Sequence, residues 1–189
     1  MAHSYTSAEI KNVKNWIVAS LYKLIQEEGD LLKPESIPTL NQLQGQKVLN
    51  RELYETTINH RLACYLENLA DNYGINGYHI DIEYNRYINN RKQVKSLGTG
   101  NFIEVRPDIV VHKRTLLNEP IPHFLVVEAK KRKLRDKDRN HIKDIMYDNN
   151  YQYKYGMLIS YYNDPDVIQV NLLTLPNNQL EEHTFEVLK

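Results

Sequence analysis

Pro107-Asp108-Ile109-Val110-Val111 and Phe124-Leu125-Val126-Val127-Glu128-Ala129-Lys130 are the stretches on which the reading of the fold turns. Each is a short apolar run rich in Val and Ile with its charges at one end, the pattern of a strand. On a strand, residues i and i+2 share a face, so Glu128 and Lys130 point the same way, with Val126 and Phe124 behind them. If the two strands form a hairpin centred on Asn118, pairing Lys113 with His123 also sets Asp108 opposite Glu128. Their Cβ atoms would then be ~5 Å apart. Two carboxylates that close repel unless a cation lies between them or one of them holds a proton.

Upstream, Thr6-Ser7-Ala8-Glu9 fits a capping box. Ile10, Val13, Trp16, Ile17, Leu21 and Ile25 then recur at helical spacing up to a stop near Gly29. A loop marked by Pro34, Pro38 and Gly45 follows, and a second helix is expected from about Asn50 to Asp71. Its apolar face runs through Ile58, Leu62, Leu66 and Leu69, and one turn back that stripe carries Glu55. An acid on an apolar stripe is costly unless it is paired or reaches water. Glu52 lies nearer the helix end, and Glu67 falls on the outer side.

After Gly77 the pattern changes. Strands are expected over Tyr78 to Tyr87, Phe102 to Lys113 and His123 to Lys131, with a polar connection through Asn89, Asn90, Gly98 and Gly100. A charged helix over Asp136 to Asn150 would face inward through Ile142, Ile145 and Met146. Further strands are expected over Tyr155 to Tyr162, Val167 to Leu175 and Thr184 to Leu188. A meander joined by a helical crossover to a further strand predicts an α/β (α+β) fold with a mixed sheet flanked by helices.

The chain of 189 residues is long enough for one domain with a real core. With 41% hydrophobic and 25% charged residues it reads as globular. No apolar run approaches the ~20 residues of a membrane helix, and residues 1–7 lack the pattern of a signal peptide. The single cysteine, Cys64, has no internal disulfide partner, so the reading is cytoplasmic with no membrane association. Net charge is zero, but the basic residues cluster. Residues 130–143 hold eight Lys or Arg against two Asp, a local +6 that leaves −6 for the rest. Such a run, beginning Lys130-Lys131-Arg132-Lys133 and continuing through Arg135, can attract phosphates, although most charge runs are solvated helix faces.

Carboxylate oxygens suit a hard ion such as Mg²⁺, and a neighbouring ammonium can stabilise charge on a phosphoryl group or, with a depressed pKa, orient water. Pro107-Asp108, nineteen intervening residues, then Glu128-Ala129-Lys130 inside an apolar strand resembles the signature of the PD-(D/E)XK nuclease superfamily, in the manner of its short stand-alone members. The resemblance covers roughly residues 50–165. It implies a restriction-endonuclease-like core of αβββαβ order within a single domain, with residues 1–49 as an N-terminal helix-and-loop extension and 166–189 as C-terminal strands. It also implies a Mg²⁺- or Mn²⁺-dependent nuclease, with DNA favoured over RNA as substrate. Asp108 and Glu128 would bind metal with help from Glu55, and Lys130 would complete the catalytic set. Lys131, Arg132, Lys133, Arg135 and Arg86 would contact nucleic acid.

Other features weigh less. Tyr84-Asn85-Arg86 and Asn59-His60-Arg61-Leu62 are similar to stretches of short superfamily members, and Glu104 is a further candidate acid. Gln152 and Tyr155 resemble the glutamine–tyrosine motif of the RecB-like subgroup, but at shorter spacing. The tyrosines from Tyr147 to Tyr162 offer stacking surfaces for unpaired bases, or merely reflect a Tyr-rich composition. A double-strand cut calls for two active sites, which a homodimer would supply. The main rival reading is a non-catalytic nucleic-acid-binding or assembly module that keeps the fold. The same carboxylate chemistry would also serve an RNA-cleaving enzyme or a hydrolase of small phosphorylated molecules.

Overall fold

The computed structural model describes residues 3–32, 55–84, 86–87, 90–114 and 123–189, with the side chains of residues 86, 87 and 90 outside that set. The expected Pro34–Gly45 loop, Glu52, the start of the second helix and the hairpin turn around Asn118 lie outside the described residues.

The first helix, α1 (Ser7–Glu28), starts at the expected capping box and reaches Gly29 as its C-cap. Thr6 Oγ1 accepts the Glu9 N–H at 3.1 Å, and the Glu9 carboxylate accepts the Thr6 N–H at 3.0 Å, so two otherwise orphaned amides are satisfied. The second helix, α2, runs Glu55–Ala70. Trp16, fully buried on α1, donates its indole N–H to the Leu66 carbonyl at 3.0 Å and fixes how the two helices meet.

The strands are β1 (His79–Ile82), β2 (Arg86–Tyr87), β3 (Asn90–Arg91), β4 (Gln93–Lys95), β5 (Phe102–Glu104), β6 (Ile109–His112), β7 (Leu125–Lys130), β8 (Tyr155–Ser160), β9 (Val167–Thr174) and β10 (Glu181–Leu188). The third helix, α3 (Asp136–Tyr147), links β7 to β8. A six-stranded sheet has the order β1-β6-β7-β8-β9-β10, and β7 with β8 is its parallel pair. The fold is α+β with a mixed sheet, as expected. The β6–β7 register is also the expected one, with Ile109 opposite Val127, Val110 opposite Val126 and Val111 opposite Leu125.

Alternation divides the sheet residues between two cores. Ile109, Val111, Leu125, Val127 and Ala129 pack on the α1–α2 side, while Val110, Val126 and Leu158 meet Ile142, Ile145 and Met146 of α3. Gly156 allows α3 to lie close to β8: a Cβ there would stand 2.4 Å from Met146 Sδ and 2.8 Å from Ile142 Cγ2.

Several expected strands differ. The strand expected over Tyr78–Tyr87 stops at Ile82, because Glu83 takes φ +48° and turns the chain while donating its N–H to the Asp108 carbonyl at 2.9 Å. The strand expected over Phe102–Lys113 splits into β5 and β6, for Pro107 has no N–H to give a ladder. The polar connection contains β3 and β4, and β4 pairs with β5 as a separate two-stranded ribbon. Finally, β10 begins three residues earlier than expected and pairs with β9 along its whole length.

Candidate functional site

At the C-terminal end of β7 the interrupted strand becomes useful. Because β6 starts only at Ile109, the Ala129 N–H has no strand partner there, and the Asp108 carboxylate accepts it at 2.7 Å. The Asp108 N–H in turn donates to the Val127 carbonyl at 3.1 Å. The aspartate is thereby held at the sheet end, with its side chain continuing the ladder.

Lys130 joins the three acids nominated from the sequence. Its Nζ lies 2.7 Å from Glu128 Oε1 and 3.5 Å from both Asp108 Oδ2 and Glu55 Oε1. It also donates to the Ala129 carbonyl at 3.0 Å. Glu55 begins the described part of α2, and its other oxygen accepts the Lys131 N–H at 2.7 Å. One helical turn on, buried Asn59 accepts a hydrogen bond from the Tyr161 hydroxyl at 2.9 Å. Tyr161 follows β8, and its N–H donates to the Lys130 carbonyl, so this bond ties the start of α2 to the strand ends that carry the site.

A further member was not singled out from the sequence. His141 of α3 places Nδ1 3.2 Å from Glu128 Oε2, so Glu128 is held from both sides. Its signal lay in the helical spacing, since His141 is one turn before Ile145 and beside Ile142 on the inward face. A histidine on a charged helix is usually a surface residue, and only tertiary packing brings this one to the carboxylate.

The electrostatics follow from burial and crowding. Burial, and then the charges of Glu128 and Glu55, push the Asp108 carboxyl up to about 6, although Lys130 and the Ala129 N–H act the other way. Burial also acts upward on Glu128, but hydrogen bonds from His141 and Lys130 outweigh it and bring its pKa below the ordinary value. For Lys130 burial favours the neutral amine, yet Asp108, Glu128 and Glu55 hold it as an ammonium, with its pKa above the ordinary lysine value. This direction favours a charge-stabilising lysine over one that takes a proton from water.

Beside this group is a cleft of about 350 Å³ lined by Glu55, Lys130, Lys131, Arg132, Lys133 and Arg135, with Lys137 and Asp138 at the start of α3. The first part of the basic run is therefore a loop and not a helix face. Ser160, buried at the end of β8, donates to the Arg132 carbonyl at 2.7 Å and fixes that loop. Asp138 accepts the Arg135 N–H at 2.8 Å where the helix begins. Arg139, later in the run, instead pairs with Glu182.

The remaining candidates lie apart from this group. Arg86 pairs through its backbone with Arg91 in the β2–β3 ribbon, and its side chain is outside the described set. Glu104 is exposed on β5 and bridges to Arg91 at 3.0 Å. His60 is exposed on α2. Tyr151, Tyr153, Tyr155 and Tyr161 are buried, so they act as core and offer no stacking surface. Gln152 sits in a turn with φ +46° and donates to the Asn149 carbonyl.

Among the described residues no three His, Cys, Asp or Glu side chains gather tightly enough to form a complete metal cage. The donor set still fits a hard divalent ion, because Mg²⁺ takes one or two carboxylates and completes its shell with water and phosphate oxygens. Three carboxylates share one ammonium here, and Asp108 is raised first by burial and then by the charges of Glu128 and Glu55, negative charge that such an ion would balance. Among the described residues no helix is long and apolar enough to cross a membrane. No family model matches the chain, and no curated protein or solved structure matches it significantly.

Proposed function

We propose that this protein is a metal-dependent nuclease with a restriction-endonuclease-like core, hydrolysing phosphodiester bonds in nucleic acid, with DNA favoured over RNA. The observation that carries this reading is the cluster of Asp108, Glu128 and Glu55 around the Lys130 ammonium at the mouth of a basic cleft. The element order supports it: α2, the antiparallel set β1-β6-β7, then α3 crossing to β8 parallel with β7.

Asp108 and Glu128 would hold Mg²⁺ or Mn²⁺, with Glu55 as a third carboxylate beside them. The ion would polarise the phosphorus–oxygen bond and lower the pKa of a bound water. Lys131, Arg132, Lys133 and Arg135 would hold the backbone phosphates along the cleft, as point charges and guanidinium forks suit phosphate oxygens. Lys130 would meet the negative charge that grows on the phosphoryl oxygens as water adds and the leaving oxygen departs. His141 would keep Glu128 ionised and fixed in direction. The proposed setting is the reducing cytoplasm, and a homodimer would provide the two sites that a double-strand cut requires.

The test is direct. Wild type, Asp108→Ala and Lys130→Ala are incubated with supercoiled, linear, branched and single-stranded DNA and with RNA, in Mg²⁺, Mn²⁺ or EDTA. Cleavage by wild type is expected with metal and not with EDTA, and each variant should lose at least about a hundredfold. If every substrate survives, or both variants cut like wild type, the catalytic reading is wrong, and retained binding would point to a module without turnover.

A further inference from the structure

The β4–β5 ribbon stands apart from the main sheet and ends in a turn over residues 96–101. Within that turn the Ser96 N–H donates to the Asn101 carbonyl and the Gly100 N–H to the Ser96 carbonyl, with Gly100 at φ +73°. Within the ribbon β4 alternates, with Val94 buried between exposed Gln93 and Lys95, whereas all three residues of β5 are exposed. Val94 is fully buried, whereas Lys95 and Phe102, which pair directly, lie on the outer face. Phe102 is 70% exposed and Leu97 61%, and both are at the outer end of the arm. Buried Val94, the Gln93 backbone on the Tyr151 hydroxyl and the Leu97 amide on Asp144 join the arm to the core, and Phe102 is left exposed beside a lysine.

The arm's position is fixed relative to the acids. The Leu97 N–H donates to Asp144 of α3 at 2.9 Å, and His141, one turn earlier on that helix, reaches Glu128. The chain leaving β5 also runs within four residues to Asp108. Of the neighbouring acids, Glu104 on β5 is paired with Arg91, and Asp144 accepts the Leu97 N–H. Lys95 makes no ion pair among the described residues, so its exposed ammonium is carried next to the apolar surface of the arm.

We infer that the β4–β5 arm is a base-stacking platform, on which Phe102 receives an unpaired nucleobase while Lys95 meets the adjoining phosphate. This rests on the nuclease reading and narrows it to substrates with a single-stranded portion, such as single strands, flaps or overhangs. An exposed aromatic paired with a cation suits an unpaired base, because every base has a stacking face and a phosphate close by. A base inside a continuous duplex has its faces already covered and gains nothing from Phe102. The buried tyrosines cannot serve this purpose, so the arm carries the exposed aromatic closest in sequence to Asp108.

The experiment measures binding of labelled single-stranded DNA, blunt duplex and flapped duplex by full-length wild type, Phe102→Ala, Phe102→Trp and Lys95→Gln. Ca²⁺ replaces Mg²⁺ to hold back cleavage, and the same proteins are then assayed for cleavage in Mg²⁺. Phe102→Ala should weaken binding to single strands and flaps about tenfold and leave blunt duplex within about twofold. Phe102→Trp should bind like wild type, and Lys95→Gln should flatten the salt dependence of single-strand binding. Equal single-strand affinity of wild type and Phe102→Ala, with cleavage intact, would overturn the platform and leave the nuclease reading standing. Absence of both binding and cleavage in wild type would overturn both. If wild type is dimeric by sedimentation and Phe102→Ala is monomeric, with its affinity loss equal on all substrates, the arm is a contact between copies and the platform is wrong.

Discussion

Lys130 and Lys92 are both drawn in from solvent, and their surroundings differ completely. Lys130 is partly buried among three carboxylates, and they keep it charged. Lys92, only 2% exposed, points into tyrosines. Its Nζ donates to the Tyr153 hydroxyl at 2.9 Å and lies 5.0, 5.5 and 5.4 Å from the ring centres of Tyr84, Tyr151 and Tyr153. Burial brings its pKa down to about 8, with Asp81 opposing that shift. Asp81 is engaged by His112 at 2.7 Å and by Arg114, so its charge is shared. Desolvation therefore sets the state of a buried lysine when its neighbours are aromatic. Carboxylates reverse the outcome when they stand within reach.

The same substitution at the two sites should act in opposite directions. Lys130→Met leaves Asp108, Glu128 and Glu55 facing one another, and a loss of about 3 kcal/mol is expected at pH 7.5 from urea unfolding. Burial and then the Glu128 charge already raise Asp108 to about 6 with the lysine present, and without the lysine its folded-state pKa lies further above the unfolded one. The folded state then binds more protons, so the lost stability should be regained as pH falls towards 4. A constant deficit from pH 8 to 4 would show that Lys130 acts by packing instead.

Lys92→Met should stabilise the protein by about 1 kcal/mol at pH 7, because an apolar side chain suits the tyrosine cage better than an ammonium. The wild-type lysine loses its proton near pH 8, whereas an unfolded lysine keeps it to about 10.4. Wild-type stability should thus rise with pH above 8, and the advantage of the variant should shrink between pH 7 and 9. A gap that does not change with pH would mean that burial does not depress Lys92.

The smallest expected effect concerns the support of Glu128. His141→Ala removes one of its two side-chain partners and should slow cleavage about tenfold with little change in KM, while His141→Asn restores part of the rate. An unchanged rate would leave Lys130 as the sole group that fixes Glu128.

Much of the site was legible because it rests on short-range geometry. Strand alternation placed Glu128 and Lys130 on one face, the hairpin register brought Asp108 alongside, and helical spacing pointed Glu55 inward. His141 was hidden because a helix's charged residues look alike until the face it packs is known. Asn59 and Tyr161 were equally hidden, since a hydrogen bond between residues 102 positions apart leaves no periodic trace. The arm escaped for another reason: Gln93–Lys95 is a three-residue strand inside a polar connection, and Phe102–Glu104 reads as the start of one strand continuous with β6.

The sequence by itself determined the elements whose causes are local: the Thr6–Glu9 cap, the α1 and α2 stripes, the apolar runs of β6 and β7, and the set of acids with one lysine. Tertiary structure decided what those groups mean to one another. It turned Pro107 into a strand break that frees Asp108 to accept the Ala129 amide, and fixed the first part of the basic run as a loop by anchoring the Arg132 carbonyl to Ser160. It also sent Lys130 to carboxylates and Lys92 to tyrosines, a difference made by which distant side chains each cation meets. Propensity and periodicity act over a few residues, while charge and burial act through space.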